Sequence, residues 1–279
     1  MFLLFLVASI LFFHSSLWSL FVFSYNDETF SYIVVVPLVS LYLIFLDREK
    51  IFTTEAETGT PGFGLLLLGV VLYLLSQWKT TGPPDTWYYC LTSLSVVAIW
   101  SGGLAVFYGV SALRQAAFPL AFLMFMAPIP VRILDPIVYL LQSGSAEVSY
   151  GVFNLLGIPI DRDGFIFHLP GLSIEVAKEC SGIRSSLSLL LTSLIAGHLF
   201  LKKGWAKGVL AASIVPITIF KNGLRIVTLS LLAIYWDPRV LSGKLHQRGG
   251  ILFFLLALLF LAGVLYVIRR IERHKTGGK

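Results

Sequence analysis

The sequence predicts an all-α polytopic membrane protein with about eight transmembrane helices. Three observations lead to this prediction: 57% of the 279 residues are hydrophobic, only 13% are charged, and the mean hydropathy is +0.85. Soluble chains carry about 25% charged residues. The net charge of +6 is therefore read as a feature of membrane topology, and no nucleic-acid partner is predicted.

Eight apolar segments approach or exceed the length of about 20 residues that a spanning helix needs. They are residues 2–23, 30–46, 62–78, 87–110, 115–131, 180–200, 207–235 and 250–268. The first lacks a basic start and a small-x-small cleavage site, so we expect a retained helix rather than a signal peptide. The region 87–131 can be divided in more than one way, because Gly102, Gly103 and Arg114 interrupt it.

The distribution of lysine and arginine predicts that both termini are cytoplasmic. With an inside N-terminus, the inside loops and tail hold Arg48, Lys50, Arg114, Lys202, Lys203, Lys207, Arg269, Arg270 and Arg273. The first outside turns are mainly acidic, with Asp27, Glu28 and Asp85.

Residues 132–179 lie between the fifth and sixth segments and predict an extracytoplasmic cap. Their first half, residues 132–157, has apolar residues at roughly helical spacing, which indicates an amphipathic helix at the outer interface. Their second half is IPIDRDGFIFHLPGLSIEVAKE, residues 158–179. Its DRDG turn between two short apolar runs predicts a small β-hairpin.

Topology brings three chemically capable residues to the outer membrane surface. Cys180 opens the sixth segment, and His246 precedes the eighth. The seventh segment begins near Lys207 and reaches Arg225 after roughly 27 Å, which is the outer leaflet. The second cysteine, Cys90, also lies near the outer face, so a disulfide with Cys180 is geometrically allowed in an oxidising compartment. Two cysteines form no zinc motif, and no metal or cofactor is predicted.

Cys180 occupies a setting that favours a reactive thiolate, whereas the other cysteine has no charged neighbour and reads as a buried apolar residue. A helix N-terminus and the cations Lys178 and Arg184 lower a thiol pKa. Glu175 and Glu179 act in the opposite sense. The net shift therefore stays open at this point.

A thiolate, a histidine and an arginine at one surface supply a nucleophile, a general acid/base and an oxyanion donor. The reaction indicated is acyl transfer on a peptide at the membrane surface. His168, in the predicted hairpin, is the other histidine that could serve, and position favours His246.

Two alternatives belong to other classes of protein. Arg184, Lys221 and Arg225 could line the anion path of a transporter, although transport sites tend to lie near the bilayer midplane. A non-catalytic membrane scaffold would make Cys180 dispensable.

Four sequence motifs carry a resemblance to a known family. They are FPLAFLMFMAPIP at 118–130, LLGIPIDRDGFIFHLPGLSIEVAKECSGIRSS at 155–186, NGLRI at 222–226 and HQRGG at 246–250. In these motifs the chain resembles the exosortase/archaeosortase family of polytopic membrane cysteine transpeptidases. The likeness covers residues 100–265 and, more loosely, residues 31–49.

The resemblance implies a protein-sorting enzyme with the catalytic residues Cys180, Arg225 and His246. It implies supporting or substrate-binding roles for Arg184, Glu175, Glu179, Asn222 and His168. Arg184 either pairs with one of the two glutamates or contacts the substrate. A histidine at the third catalytic position favours the bacterial, exosortase-like branch and therefore the cell inner membrane.

The substrates implied by the resemblance are exported proteins with a C-terminal tripartite tail: a Pro-Glu-Pro-like (PEP-CTERM) motif, a transmembrane helix and a basic cluster. Cleavage would proceed through a thioester, and the protein would pass to an acceptor such as a lipid or a polysaccharide. The partners expected are these substrates and the lipid bilayer.

Overall fold

The computed structural model describes residues 1–52, 60–78, 84–237, 239 and 244–276, with the side chains of residues 179–180, 244–249 and 274–276 outside the description. Seven helices in the described chain are long and apolar enough to cross a membrane, or eight if one bent pair forms a span. The predicted class, a polytopic all-α membrane protein, is confirmed. The chain divides into two compact units, Met1–Leu134 and Asp135–Lys279.

The first unit contains the helices of the first four predicted spans, a short helix after the second of them, and the helices in the region of the predicted fifth span. They are α1 (Phe2–Asn26), α2 (Val35–Leu46) with a preceding 3-10 helix (Glu28–Val34), α3 (Arg48–Phe52), α4 (Thr60–Trp78), α5 (Thr86–Gln115) and α6 (Ala117–Leu123) with a following 3-10 helix (Met124–Met126). Only 17% of the residues in the apolar stretches of α1 and α4 are buried, against 61% of those in α5. Central α5 thus packs against protein, while α1 and α4 keep apolar faces outward for lipid.

The interruption expected in the fourth span occurs at a different glycine. Helix α5 continues through Gly102 and Gly103 and breaks at Gly109, where φ is 84° and ψ is 174°. A Cβ at Gly102 would lie 2.8 Å from the backbone nitrogen of Leu66 on α4. Gly102 therefore permits close approach of two helices, as small residues do in membrane proteins.

The predicted fifth span, residues 115–131, is wrong as a single helix. Helix α6 and the 3-10 helix after it end at Met126, which leaves them too short to cross a bilayer. They are long enough to span a membrane only if they are counted together with the next helix, from which they are separated by a bend of 91°. The sequence APIPV at 127–131 explains the break, because Pro128 and Pro130 lack backbone N–H donors and exclude helical geometry before them.

The second unit contains the elements that carry the predicted site. They are α7 (Val131–Leu155), β1 (Asp161–Asp163), β2 (Ile166–Leu169), β3 (Leu172–Glu175), a 3-10 helix (Lys178–Ser181), α8 (Ile183–Phe200), α9 (Gly204–Ala212), α10 (Ile214–Tyr235) and α11 (Lys244–Thr276). The predicted seventh span, 207–235, is thus built from two helices that meet at Ser213. Cys180 lies in the 3-10 helix and not, as predicted, at the N-terminus of a transmembrane α-helix.

The predicted hairpin has a third strand. Strands β1 and β2 pair around Gly164 as expected, and β3 then adds antiparallel to β2, giving the order β1-β2-β3. The second turn consists of Pro170 and Gly171, whose φ is +74°. Proline presets one turn dihedral and glycine accepts the positive φ of the next, so the LPGL segment is a turn.

Two apolar clusters hold the second unit together. The sheet packs on α7 and α10 through Phe153, Phe167, Val176 and Val227. Helices α8, α9, α10 and α11 share a second cluster built from Leu189, Leu201, Ala206, Leu210, Ile214, Ile217, Ala257, Leu261 and Ile268. The buried residues of α7 recur at helical spacing (Val138, Leu141, Gln142, Ser145, Ala146, Ser149 and Phe153), which confirms its amphipathic character.

Candidate active site

Two of the sequence motifs meet where α8 begins. Gly182 follows the 3-10 helix with φ +74°, and a Cβ placed on it would lie 2.5 Å from Nδ2 and 2.7 Å from Oδ1 of Asn222. Asn222 is on α10 and is 1% exposed. The CSGIR and NGLRI motifs, far apart in sequence, are therefore in direct contact.

A buried lysine strengthens this contact. The Nζ of Lys221 donates a hydrogen bond of 2.6 Å to Oγ of Ser185, and that hydroxyl donates one of 2.8 Å to the carbonyl oxygen of Gly182. The same carbonyl accepts from the Oγ of Ser186 at 2.8 Å. Because a buried ammonium is costly unless it is hydrogen-bonded, this chain of contacts ties α10 firmly to the turn before α8. The sequence pointed to Lys221 only as a possible transport residue, and its contact with Ser185 was missed.

The register between α8 and α10 brings the arginine of the second motif towards Cys180. Lys221 contacts Ser185, and the next residue, Asn222, lies against Gly182, so higher numbers on α10 meet lower numbers on α8. Arg225 is a further turn along α10, about 4.5 Å beyond Asn222 in the direction of the Cys180 turn. The side chain of Cys180 is outside the described part of the structure.

The start of α11 lies at the same end of the unit. The guanidinium carbon of Arg269 lies 5.6 Å from the ring centroid of Phe200, the last residue of α8. Beyond α8, the backbone N–H groups of Lys202 and Lys203 donate to the Glu272 carboxylate at 3.3 and 2.8 Å. The last turns of α8 and α11 are adjacent, and Leu189 of α8 shares an apolar cluster with Ala257 of α11, so the two helices run in the same direction. His246 belongs to the first turn of α11, and its side chain is not described.

The remaining predicted site residues are spread over the sheet and the start of α8. His168 lies on the exposed face of β2, where its Nδ1 is 2.9 Å from Oγ of Ser173. Glu175 ends β3 and is exposed, and among the described side chains no ion pair joins it to Arg184. Arg184 is exposed in the first turn of α8, and the side chain of Glu179 lies outside the description.

The segment that leads to Cys180 is anchored on α7. Nε2 of Gln142 donates a hydrogen bond of 2.5 Å to the carbonyl oxygen of Val176, which is 1% exposed. The N–H of Val176 donates to the carbonyl oxygen of Phe165 at 2.9 Å. The sequence patterns did not single out Gln142. Its spacing of three residues from Ser145 and seven from Ser149, both on the buried face of α7, is the signal that could have found it.

The fold and the site define a polytopic membrane protein in which the middle of α10 packs against a polar turn that carries a cysteine and precedes α8. The sequence model of the transmembrane exosortase family matches residues 17–263. The chain belongs to this family, as the resemblance in its motifs indicated, and the match extends further toward the N-terminus than those motifs do. No curated protein and no solved structure shows significant similarity to the chain.

Proposed function

We propose that this chain is a membrane cysteine protease/transpeptidase that cleaves the C-terminal sorting signals of exported proteins. The observation that carries the proposal is the contact of Gly182, two residues after Cys180, with Asn222, three residues before Arg225 on α10. Membership of the exosortase family supports the same reaction class.

In this proposal the Cys180 thiolate attacks the carbonyl carbon of the scissile peptide bond. Arg225 donates hydrogen bonds to the oxyanion that forms, because its guanidinium stays charged and has rigid donors. The C–N bond then breaks, His246 gives a proton to the leaving amine, and a thioester remains on Cys180. An acceptor nucleophile gives its proton to His246 and attacks the thioester, which releases the thiolate.

The proposed substrates carry a PEP-CTERM-like motif, a transmembrane helix and a basic cluster. Such a tail holds its cleavage motif just outside its own helix, at the membrane depth proposed for Cys180. The site is proposed to face the extracytoplasmic side of the cell inner membrane, with residues 132–179 as a cap that holds the motif. The acceptor, a lipid or a polysaccharide, is part of the same proposal.

Co-expression with a substrate bearing the tripartite tail tests the nucleophile. We expect the chain to shorten the substrate, Cys180→Ala to abolish shortening, and Cys90→Ala to leave it unchanged, because Cys90 lies on α5 in the first unit. Hydroxylamine should release a thioester-linked substrate from the intact enzyme and none from Cys180→Ala. Shortening by Cys180→Ala would refute the cysteine mechanism.

Two alanine variants distinguish His246 from His168 as the catalytic histidine. His246→Ala should abolish processing, whereas His168→Ala should retain it, because His168 contacts Ser173 on the exposed face of the sheet. Equal losses from the two changes would contradict the choice of His246.

A further inference from the structure

A cluster of arginines lines an open cavity at the C-terminal end of α11. Tyr266, Arg269, Arg270 and Arg273 line a cavity of about 510 Å³ that is open to the outside. Their spacing places them on one face of the helix. The opposite face, with Ala257, Leu261 and Ile268, packs into the apolar cluster shared with α8, α9 and α10. The arginine face is therefore turned away from the protein core.

The cavity lies at the polar boundary of a membrane span. The apolar part of α11 begins at Gly250. At 1.5 Å per residue, Tyr266 is roughly 24 Å and Arg270 roughly 30 Å further along the helix, which is about the thickness of the hydrocarbon core. Phe200, beneath Arg269, ends α8, whereas the Cys180 turn precedes α8. The cavity is thus separate from the candidate active site by the length of α8.

The positive charge of the cavity is not neutralised by the acid nearest to it in sequence. Glu272 is 7% exposed and faces inward, where its carboxylate accepts the backbone N–H groups of Lys202 and Lys203. Among the described side chains, no carboxylate lies within ion-pair distance of Arg270 or Arg273. Arg269 is held in place over the ring of Phe200.

We propose that this cavity binds the phosphodiester headgroup of an anionic phospholipid. Guanidinium groups bind phosphate oxygens through two parallel hydrogen bonds, and tyrosine is enriched at the level of the headgroups. Basic pockets at the ends of membrane helices bind anionic lipid headgroups. The proposal does not depend on the proposed peptidase activity.

Native mass spectrometry of the full-length protein in detergent tests the proposal, with phosphatidylglycerol, phosphatidylcholine and free glycerol phosphate as probes. We expect the protein to retain phosphatidylglycerol and to bind the other two weakly. Arg270→Gln with Arg273→Gln should weaken phosphatidylglycerol binding by about thirtyfold. Arg270→Lys with Arg273→Lys keeps the charge and the topology signal, and it should weaken binding by a few fold because lysine lacks the planar fork.

The matched control removes two cations from the segment that follows α8, neither of which lines the cavity, with Lys202→Gln and Lys207→Gln. It should leave lipid binding within twofold of the unmodified protein. An equal loss in the control, or unchanged binding in the double lysine variant, would show general attraction to positive charge and overturn the proposal. Displacement of the lipid by glycerol phosphate alone would assign the cavity to a free phosphate and also overturn it.

Discussion

Gly182 is constrained in two independent ways. Its φ of +74° lies in the left-handed region, where residues with a Cβ are strained. A Cβ would also overlap the side chain of Asn222, which is buried and has little room to move. Glycine at this position therefore lets the cysteine-bearing turn approach α10.

Gly182→Ala should reduce both stability and processing. The left-handed backbone alone costs about 1–3 kcal/mol for a residue with a Cβ, and displacement of Asn222 adds to it. The thermal unfolding midpoint in detergent and substrate processing in cells measure the two effects. Gly151→Ala on α7 is the control, because a Cβ there meets nothing within 4 Å and should leave both readouts intact. Normal processing by Gly182→Ala would contradict the tight contact.

Lys221 and Ser185 should act as one unit in positioning the turn. Lys221→Met should lower the rate of processing by about 10- to 100-fold, which corresponds to loss of a hydrogen bond with a charged group. Lys221→Arg should restore part of the rate. Ser185→Ala combined with Lys221→Met should be no worse than either change alone. Multiplied losses in the double variant would show that the two residues act separately.

At the scale of elements, one arginine joins the sheet to α7. Arg162 on β1 places Nη1 2.8 Å from the Glu147 carboxylate on α7, and its Nε donates to the Gly164 carbonyl oxygen at 2.8 Å. Its guanidinium carbon also lies 5.8 Å from the ring centroid of Tyr150 and 5.7 Å from that of Phe167. The glutamate side chain is 64% exposed, so the ion pair is the weakest of these contacts.

Replacement of the two partners should have unequal effects. Glu147→Gln should change the free energy of unfolding by less than about 1 kcal/mol, as exposed ion pairs do. Arg162→Ala should cost about 1–2 kcal/mol, because the contacts with two rings and with a turn carbonyl are lost together. Thermal unfolding in detergent and proteolysis of the sheet check the difference. Equal effects would mean that the ion pair carries the attachment.

The α7 helix and the sheet also show how far local sequence patterns extend. The periodic apolar residues of α7 predicted a helix correctly, because one face recurs every three or four residues. The third strand was missed because a Pro-Gly turn inside an apolar run divides two strands that are only four residues long. The 3-10 helix at Cys180 was missed because no residue before Gly182 indicates that the α-helix begins only at Ile183.

At the scale of the whole molecule, topology connects the proposed function with the membrane. The positive-inside pattern predicts that the Cys180 turn faces outward and that the end of α11 faces inward. The Cys180 turn precedes α8, and the arginine cavity lies beside the last residue of α8. The two sites are therefore at opposite ends of this helix, as sites on opposite sides of a membrane would be.

Labelling with a membrane-impermeant thiol reagent tests the topology in intact cells. In a Cys90→Ser background, Cys180 should react from outside. In a Cys90→Ser and Cys180→Ser background, a cysteine introduced by Lys202→Cys should react only after permeabilisation. Reaction of Cys180 only after permeabilisation would reverse the predicted orientation and place the proposed site on the wrong side for exported substrates.

The sequence by itself determined the membrane class, most of the spans and the motifs of the family. It could do so because a bilayer requires long apolar helices, whose backbone hydrogen bonds are satisfied within each segment. Only the tertiary structure decided that Gly182 lies against Asn222, that Lys221 bonds to Ser185 and that Glu272 turns inward beside an exposed arginine face. Such contacts depend on the rotation and register of packed helices, which the local pattern of one helix does not encode.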